Sequence, residues 1–221
     1  IHISGWNPVL FSLSDAFVVD LSLFVGAINM VLAFALFICT AMIYACVKFL
    51  QEWATPLTVV NYVLLGMASG FALSTAFASY VQSDLIQFYG GWAIVLTVSA
   101  FITRSASLIR NAKIKYKSNL SSAIGIRHNT IKQKAQGSMG GSFNTREYFH
   151  GAKPALFKSI KWIFLVLVFV APVALLSGAL ASNMFTLFLL AFIVQYIGLI
   201  AERWFFFAQA NHPQNLYYQT I

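Results

Sequence analysis

Residues 162–181 read WIFLVLVFVAPVALLSGALA, a run without a charge, an amide or a histidine. Twenty residues at helical rise extend about 30 Å, the thickness of a bilayer's hydrocarbon core. The run does not alternate polar and apolar positions, as a barrel strand would. Lipid offers backbone N–H and C=O groups no partners, so such a segment must be a helix. Pro172 lies inside it and removes one backbone hydrogen bond, which predicts a kink.

Four further stretches read the same way, at about Leu21–Val47, Leu57–Val81, Leu85–Thr103 and Met184–Ala201. No Asp, Glu, Lys, Arg or His falls inside any of the five spans with these boundaries. The composition agrees: 59% of the 221 residues are hydrophobic and 9% are charged. A soluble domain carries about 25% charged residues, so too little charge is present to wet a surface here. The expected fold class is an all-α, polytopic transmembrane helix bundle forming a single membrane domain over residues 1–221. Hydrophobicity this high excludes disorder, and two cysteines exclude a disulfide scaffold.

The formal charge of +8 suggests nucleic acid only while its position is ignored. Twelve of the 14 Lys and Arg residues lie between Arg104 and Lys161 with Glu147 as the one acid, which gives that stretch +11 and leaves −3 elsewhere. This is a positive-inside signal and implies no nucleic-acid partner. It places the loop 104–161 and the tail 202–221 in the cytoplasm of a bacterial inner-membrane protein. The segment 1–20 and the turn at Asp84 then lie outside. No signal peptide is visible, and the start at Ile1 suggests trimming or a fragment.

Several chemistries lack their residues. His2, His128, His150 and His212 all lie outside the spans, so no pair is placed to ligate haem between helices. Cys39 and Cys46 are two turns apart on one helix, too far for a disulfide, and two thiolates cannot hold an iron–sulfur cluster. They read as small buried hydrophobes. No metal site is expected. Gly66 and Gly70 form a G-x-x-x-G, read as the seam of a helix pair within the chain or between two copies. The glycine-rich 137–141 is no Walker A and reads as a loop. The spans, drawn without ionisable groups, argue against an ion-coupled transporter.

Two polar groups lie at the cytoplasmic interface. One is NTREYFHG (144–151), with Arg146, Glu147, Tyr148 and His150; the other is Glu202, Arg203 and Trp204. Together they offer donors, an acceptor and a group titrating near neutrality. Such a set suits a quinone headgroup, and equally suits interface anchoring by Trp, Tyr and Arg. Lys113, Lys115, Lys117, Arg127, Lys132 and Lys134 form a basic face that suits a partner protein or anionic lipid.

Three long strings resemble the membrane anchors of dimethyl sulfoxide reductase-type complexes. They are CTAMIYACVKFLQEWATPLTVVNYVLLGMASGF (39–71), RHNTIKQKAQGSMGGSFNTREYFHG (127–151) and AERWFFFAQANHPQNLYYQ (201–219). The resemblance covers about residues 35–220. It implies an anchor that binds menaquinol and passes two electrons to an iron–sulfur subunit, which feeds a molybdopterin catalytic subunit in anaerobic respiration. It implies no haem and no iron–sulfur cluster in this chain. That family typically has more helices, which implies that N-terminal ones are missing here. No site residue transfers from the family, so Arg146, Glu147, Tyr148, His150, Glu202, Arg203 and Trp204 stand as a candidate headgroup site on physical grounds alone. A small-solute transporter and a ligand-free structural membrane protein are the rival classes.

Overall fold

The computed structural model describes residues 6–14, 17–116, 119–128, 130–132, 154–182 and 184–213. A two-stranded antiparallel hairpin, β1 (Val9–Ser14) and β2 (Phe17–Asp20), comes first, inside the segment expected to lie outside the membrane. Asp20 ends the hairpin and caps α1 (Leu21–Ala45), its carboxylate accepting the Leu23 N–H at 2.7 Å. Asn7 donates to the other Asp20 oxygen at 2.7 Å and so locks the hairpin onto the helix start. α2 (Pro56–Tyr80) opens with Thr55 as N-cap and Pro56 in the first turn, where a missing N–H costs nothing. α3 (Ile86–Ala112), the short α4 (Leu120–Ile124), α5 (Pro154–Leu165), α6 (Ala171–Ser182) and α7 (Phe185–Gln209) follow. α5 and α6 form one apolar rod, so five helices are long and apolar enough to cross a membrane.

The rod carries a π turn at Val166–Val170, directly before Pro172. Proline cannot donate to the carbonyl four residues back, that of Val168. The helix accommodates this by widening, with the Ala171 N–H bonded to the Val166 carbonyl. The Val168 carbonyl accepts instead from Gln195 Nε2 of α7 at 3.3 Å, and the same nitrogen reaches Thr97 Oγ1 of α3 at 3.2 Å. The irregularity expected at Pro172 thus takes the form of a π turn tied to two neighbouring helices.

Two expectations are overturned. α3 continues past Thr103 through Arg104 and Arg110, and α7 continues past Ala201 through Glu202 and Arg203; α5 likewise carries Lys158 and Lys161. The spans therefore do contain ionisable residues, and Arg104 and Glu202 are only 3% and 0% exposed. A charge ends a hydropathy window but not a helix, since Arg and Glu are good helix formers. Cys39 and Cys46 are exposed rather than buried, because α1 packs chiefly on α2 and buries only Ala41.

Small residues set the closest approaches. A Cβ on Gly66 would lie 2.7 Å from the Phe37 ring of α1, so this glycine of the G-x-x-x-G serves contact within the chain. A Cβ on Gly198 of α7 would lie 2.8 Å from the backbone of Leu167 and Val168, whereas one on Gly70 meets nothing within 4 Å. Backbone cannot swing aside as a ring can. Gly198→Ala should therefore lower the thermal stability of the detergent-purified protein, by about 1–3 kcal/mol. Gly70→Ala should leave it equal or raise it by about 0.5–1 kcal/mol, as alanine does in a helix.

Candidate functional site

Every second helix junction lies at one end of the bundle. There the C-terminus of α1, the start of α2 and the ends of α3 and α7 meet, with Lys48, Arg110 and Lys113 close by. The opposite end holds the hairpin and the α2–α3 and α6–α7 junctions, with no Lys or Arg in any of these sequences.

At the basic end a buried charge cluster joins α3 to α7. Arg104 Nη2 lies 2.7 Å from Glu202 Oε1. Arg203 Nε donates to Glu202 Oε2 at 2.6 Å, and its Nη2 contacts the same oxygen. One carboxylate thus serves two guanidiniums, and the cluster carries a formal charge of +1. Arg104 also lies over the Phe164 ring, 5.7 Å from its centroid. The Arg203 guanidinium covers the Tyr62 ring at 4.2 Å and the Phe206 ring at 4.9 Å. Cation–π contact offsets part of the desolvation cost of each guanidinium. Beside Arg104, Asn61 of α2 fixes the helix pair: it donates to Ser107 Oγ at 2.8 Å and accepts from Thr103 Oγ1 at 2.7 Å.

Arg203 and Tyr62 line one end of an apolar groove of about 340 Å³. α1 supplies Leu36, Phe37 and Thr40; α2 supplies Tyr62, Leu65, Gly66 and Ser69; α7 supplies Leu199 and Arg203. The α2 positions recur at three- and four-residue spacing, one face of a helix, so that wall is about 10 Å long. The groove leads from the charged end inward between three helices. Gly66 lets the Phe37 ring pack directly on the α2 backbone in this wall.

Below the groove the short link 46–55 is a packed knot rather than a loose connection. Trp53 stacks on Phe206 with ring centroids 5.1 Å apart and donates to the Phe206 carbonyl at 3.0 Å. Tyr44 sets its edge against both rings. Glu52, 4% exposed, accepts from the Tyr116 hydroxyl at 2.6 Å and the Asn211 N–H at 3.2 Å. Burial, and then the Glu52 carboxylate, push the Tyr116 phenol well above its ordinary range, which keeps it a donor. Both terminal nitrogens of Arg110 donate to the Gln51 carbonyl at 3.0 Å. Burial lowers the His212 pKa, which favours its neutral form.

Of the residues singled out from sequence, Glu202 is in the charge cluster and Arg203 is in both cluster and groove. Trp204, one position on, does not line the groove and packs with the Phe164–Phe205 cluster. Arg146, Glu147, Tyr148 and His150 lie outside the described residues, as do Lys117 and Lys134. Lys113, Lys115, Arg127 and Lys132 are exposed. Tyr62, Arg104, Asn61 and Glu52 are site residues that sequence reasoning misses.

Five membrane-length helices and a buried charge cluster at the head of an apolar groove define a multi-pass membrane protein. Over 220 residues, 100% of this chain and 68% of the other, the sequence is 50% identical to a sulfite dehydrogenase subunit of Allochromatium vinosum. The chain belongs to the family of that protein, a membrane-type component of an oxidoreductase complex. The resemblance drawn from sequence to dimethyl sulfoxide reductase anchors holds at this coarser level, a membrane component of a redox complex. No protein-family model matches the chain. No solved structure matches it either.

Proposed function

We propose that this chain is the quinone-reactive anchor of a molybdopterin oxidoreductase in a bacterial inner membrane. On this reading the groove holds menaquinone or menaquinol and exchanges two electrons with an iron–sulfur partner, itself coupled to a molybdopterin catalytic subunit. The observation that carries it is the groove ending on Tyr62 and Arg203. A quinone needs an apolar slot for its isoprenoid tail and hydrogen-bond donors for its carbonyls, and phenol and guanidinium supply such donors.

The catalytic partner sets the direction. Oxidation of sulfite and water to sulfate releases two electrons and two protons, and those electrons would reduce quinone to quinol in the groove. With an S-oxide-reducing partner, the dimethyl sulfoxide reductase arrangement, menaquinol would enter and its electrons leave. The test compares membranes with and without this gene. It follows sulfite-dependent reduction of a menaquinone analogue and S-oxide-dependent oxidation of a menaquinol analogue. One of the two rates should vanish with the gene; two unchanged rates overturn the proposal.

The exposed Lys113 and Lys115 stand at the same end of the bundle as the groove's head and would dock the partner by charge. Lys113→Glu with Lys115→Glu should weaken retention of the partner on membranes, and raised salt should weaken it in the parent complex, since exposed charges are screened over about 10 Å. Retention insensitive to both would assign these lysines to lipid or orientation alone.

A further inference from the structure

The charge cluster is not neutral, and its surplus faces the groove. Among the described residues Glu202 is the sole acid in contact with Arg104 and Arg203, and each of its oxygens is engaged. Arg203 Nη1 and Arg104 Nε are buried and have no hydrogen-bond partner among the described residues. Around the head of the groove, α1 contributes Tyr44, whose ring stacks on Tyr62 at 5.8 Å, α2 contributes Tyr62, α3 contributes Arg104 and α7 contributes Glu202 and Arg203; the α1 wall residues Leu36, Phe37 and Thr40 carry no titratable group. Glu52, the nearest acid on the adjoining link, is occupied by Tyr116 and Asn211. An uncompensated positive charge in an apolar setting is costly, and an anion in the groove would offset it.

We infer that the Arg104–Glu202–Arg203 cluster makes the groove head selective for an anion, and that it holds the one-electron-reduced quinone as the anionic semiquinone. This rests on the quinone reading above. A neutral quinone or quinol gains a hydrogen bond from Arg203, whereas the semiquinone anion gains that bond and the full surplus charge. In the first step the quinone takes one electron from the reduced iron–sulfur partner, which is oxidised by one electron, and no proton is needed. The semiquinone anion then takes a second electron from the same donor and two protons from the aqueous side, and leaves as quinol. Arg203 stays protonated throughout. It stabilises charge and transfers no proton. Arg104 acts through Glu202, as a positioning and charge-setting residue.

The test is a redox titration of the purified complex with menaquinone-1, followed by electron paramagnetic resonance. The parent complex should show an organic radical at intermediate potential, and its first reduction step should be independent of pH around neutrality. Arg203→Gln should reduce the radical population by about tenfold or more, the scale of a lost hydrogen bond to a charged group, while Arg203→Lys keeps much of it. Arg104→Met, which makes the cluster neutral without touching the groove wall, should also reduce it, and this variant answers the case in which Arg203→Gln does not assemble. A complex that turns quinone over without a radical, or with a radical that Arg104→Met leaves unchanged, overturns the charge assignment and leaves the quinone reading standing. Oleate displacing menaquinone-1 from a complex that shows no radical would identify a lipid-anion site and likewise overturn it. Absence of any quinone turnover removes both.

Discussion

Glu202→Leu should abolish accumulation of the folded protein in the membrane, and Arg104→Met should be markedly milder. The asymmetry follows from the cluster's arithmetic. Removing Glu202, fully buried, leaves two guanidiniums on the cluster with no acid between them. Stranding a buried charge in this way costs about 3–5 kcal/mol, a large fraction of a typical folding free energy. Removing Arg104 leaves Glu202 still held by Arg203, so no charge is orphaned. The double variant, Arg104→Met with Glu202→Leu, replaces the buried pair by apolar volume and leaves only Arg203, whose side chain is 29% exposed and rests on Tyr62 and Phe206. Apolar replacement of a whole buried pair is often neutral. The double variant should therefore recover most of the thermal stability lost by Glu202→Leu, measured on protein extracted in detergent. Equal losses in the two single variants would show that Arg203 does not hold Glu202 as described.

The same cluster shows what the sequence makes legible. The apolar runs announce the helices, because nothing else satisfies a backbone in lipid. The basic loop announces which ends share a side. A hydropathy reading ends each helix at the first charge after its run, and that error matters: Arg104 and Glu202 are 98 positions apart and read separately as interface residues. Only the parallel approach of α3 and α7, whose C-terminal ends meet, makes them partners, and a hydropathy window has no access to that meeting. Tyr62 is hidden for a related reason. One tyrosine among Val, Leu and Asn reads as an ordinary span residue until Arg203 lies on its ring. Gln195 is the converse case. Its amide in an apolar span has no local meaning, yet Pro172 twenty-three residues earlier exposes the carbonyl it satisfies. Local sequence thus sets the elements, while the site lies in pairings between them. The link 46–55 shows the limit again: Trp53 and Glu52 read as parts of a short connection, but their partners Phe206, Tyr116 and Asn211 lie far along the chain.

Ser69→Trp should reduce quinone turnover by about tenfold or more, through KM first, while the complex assembles at parental levels. Ser69 lies deep in the groove, about two helical turns from Tyr62, and its hydroxyl is spent on the Gly66 carbonyl at 3.0 Å. The substitution therefore removes no contact between helices. It fills the slot in which an isoprenoid tail would lie, and the headgroup could then reach Arg203 only by expelling the indole. Leu73→Trp provides the control. It lies one turn further along α2, is 47% exposed and does not line the groove, so it adds the same bulk without entering the slot. Membrane helices gain stability from packing rather than from hiding apolar surface from lipid, so an outward tryptophan at Leu73 costs little. The comparison is informative because both variants carry an added indole on one helix. A loss confined to Ser69→Trp, and relieved by a short-tailed quinone analogue, ties turnover to the groove's interior. Equal turnover in both variants would mean that the tail lies elsewhere, and that the open space between α1, α2 and α7 is filled by lipid. In that case the charge cluster would stand as a tie between α3 and α7 rather than as the head of a binding site.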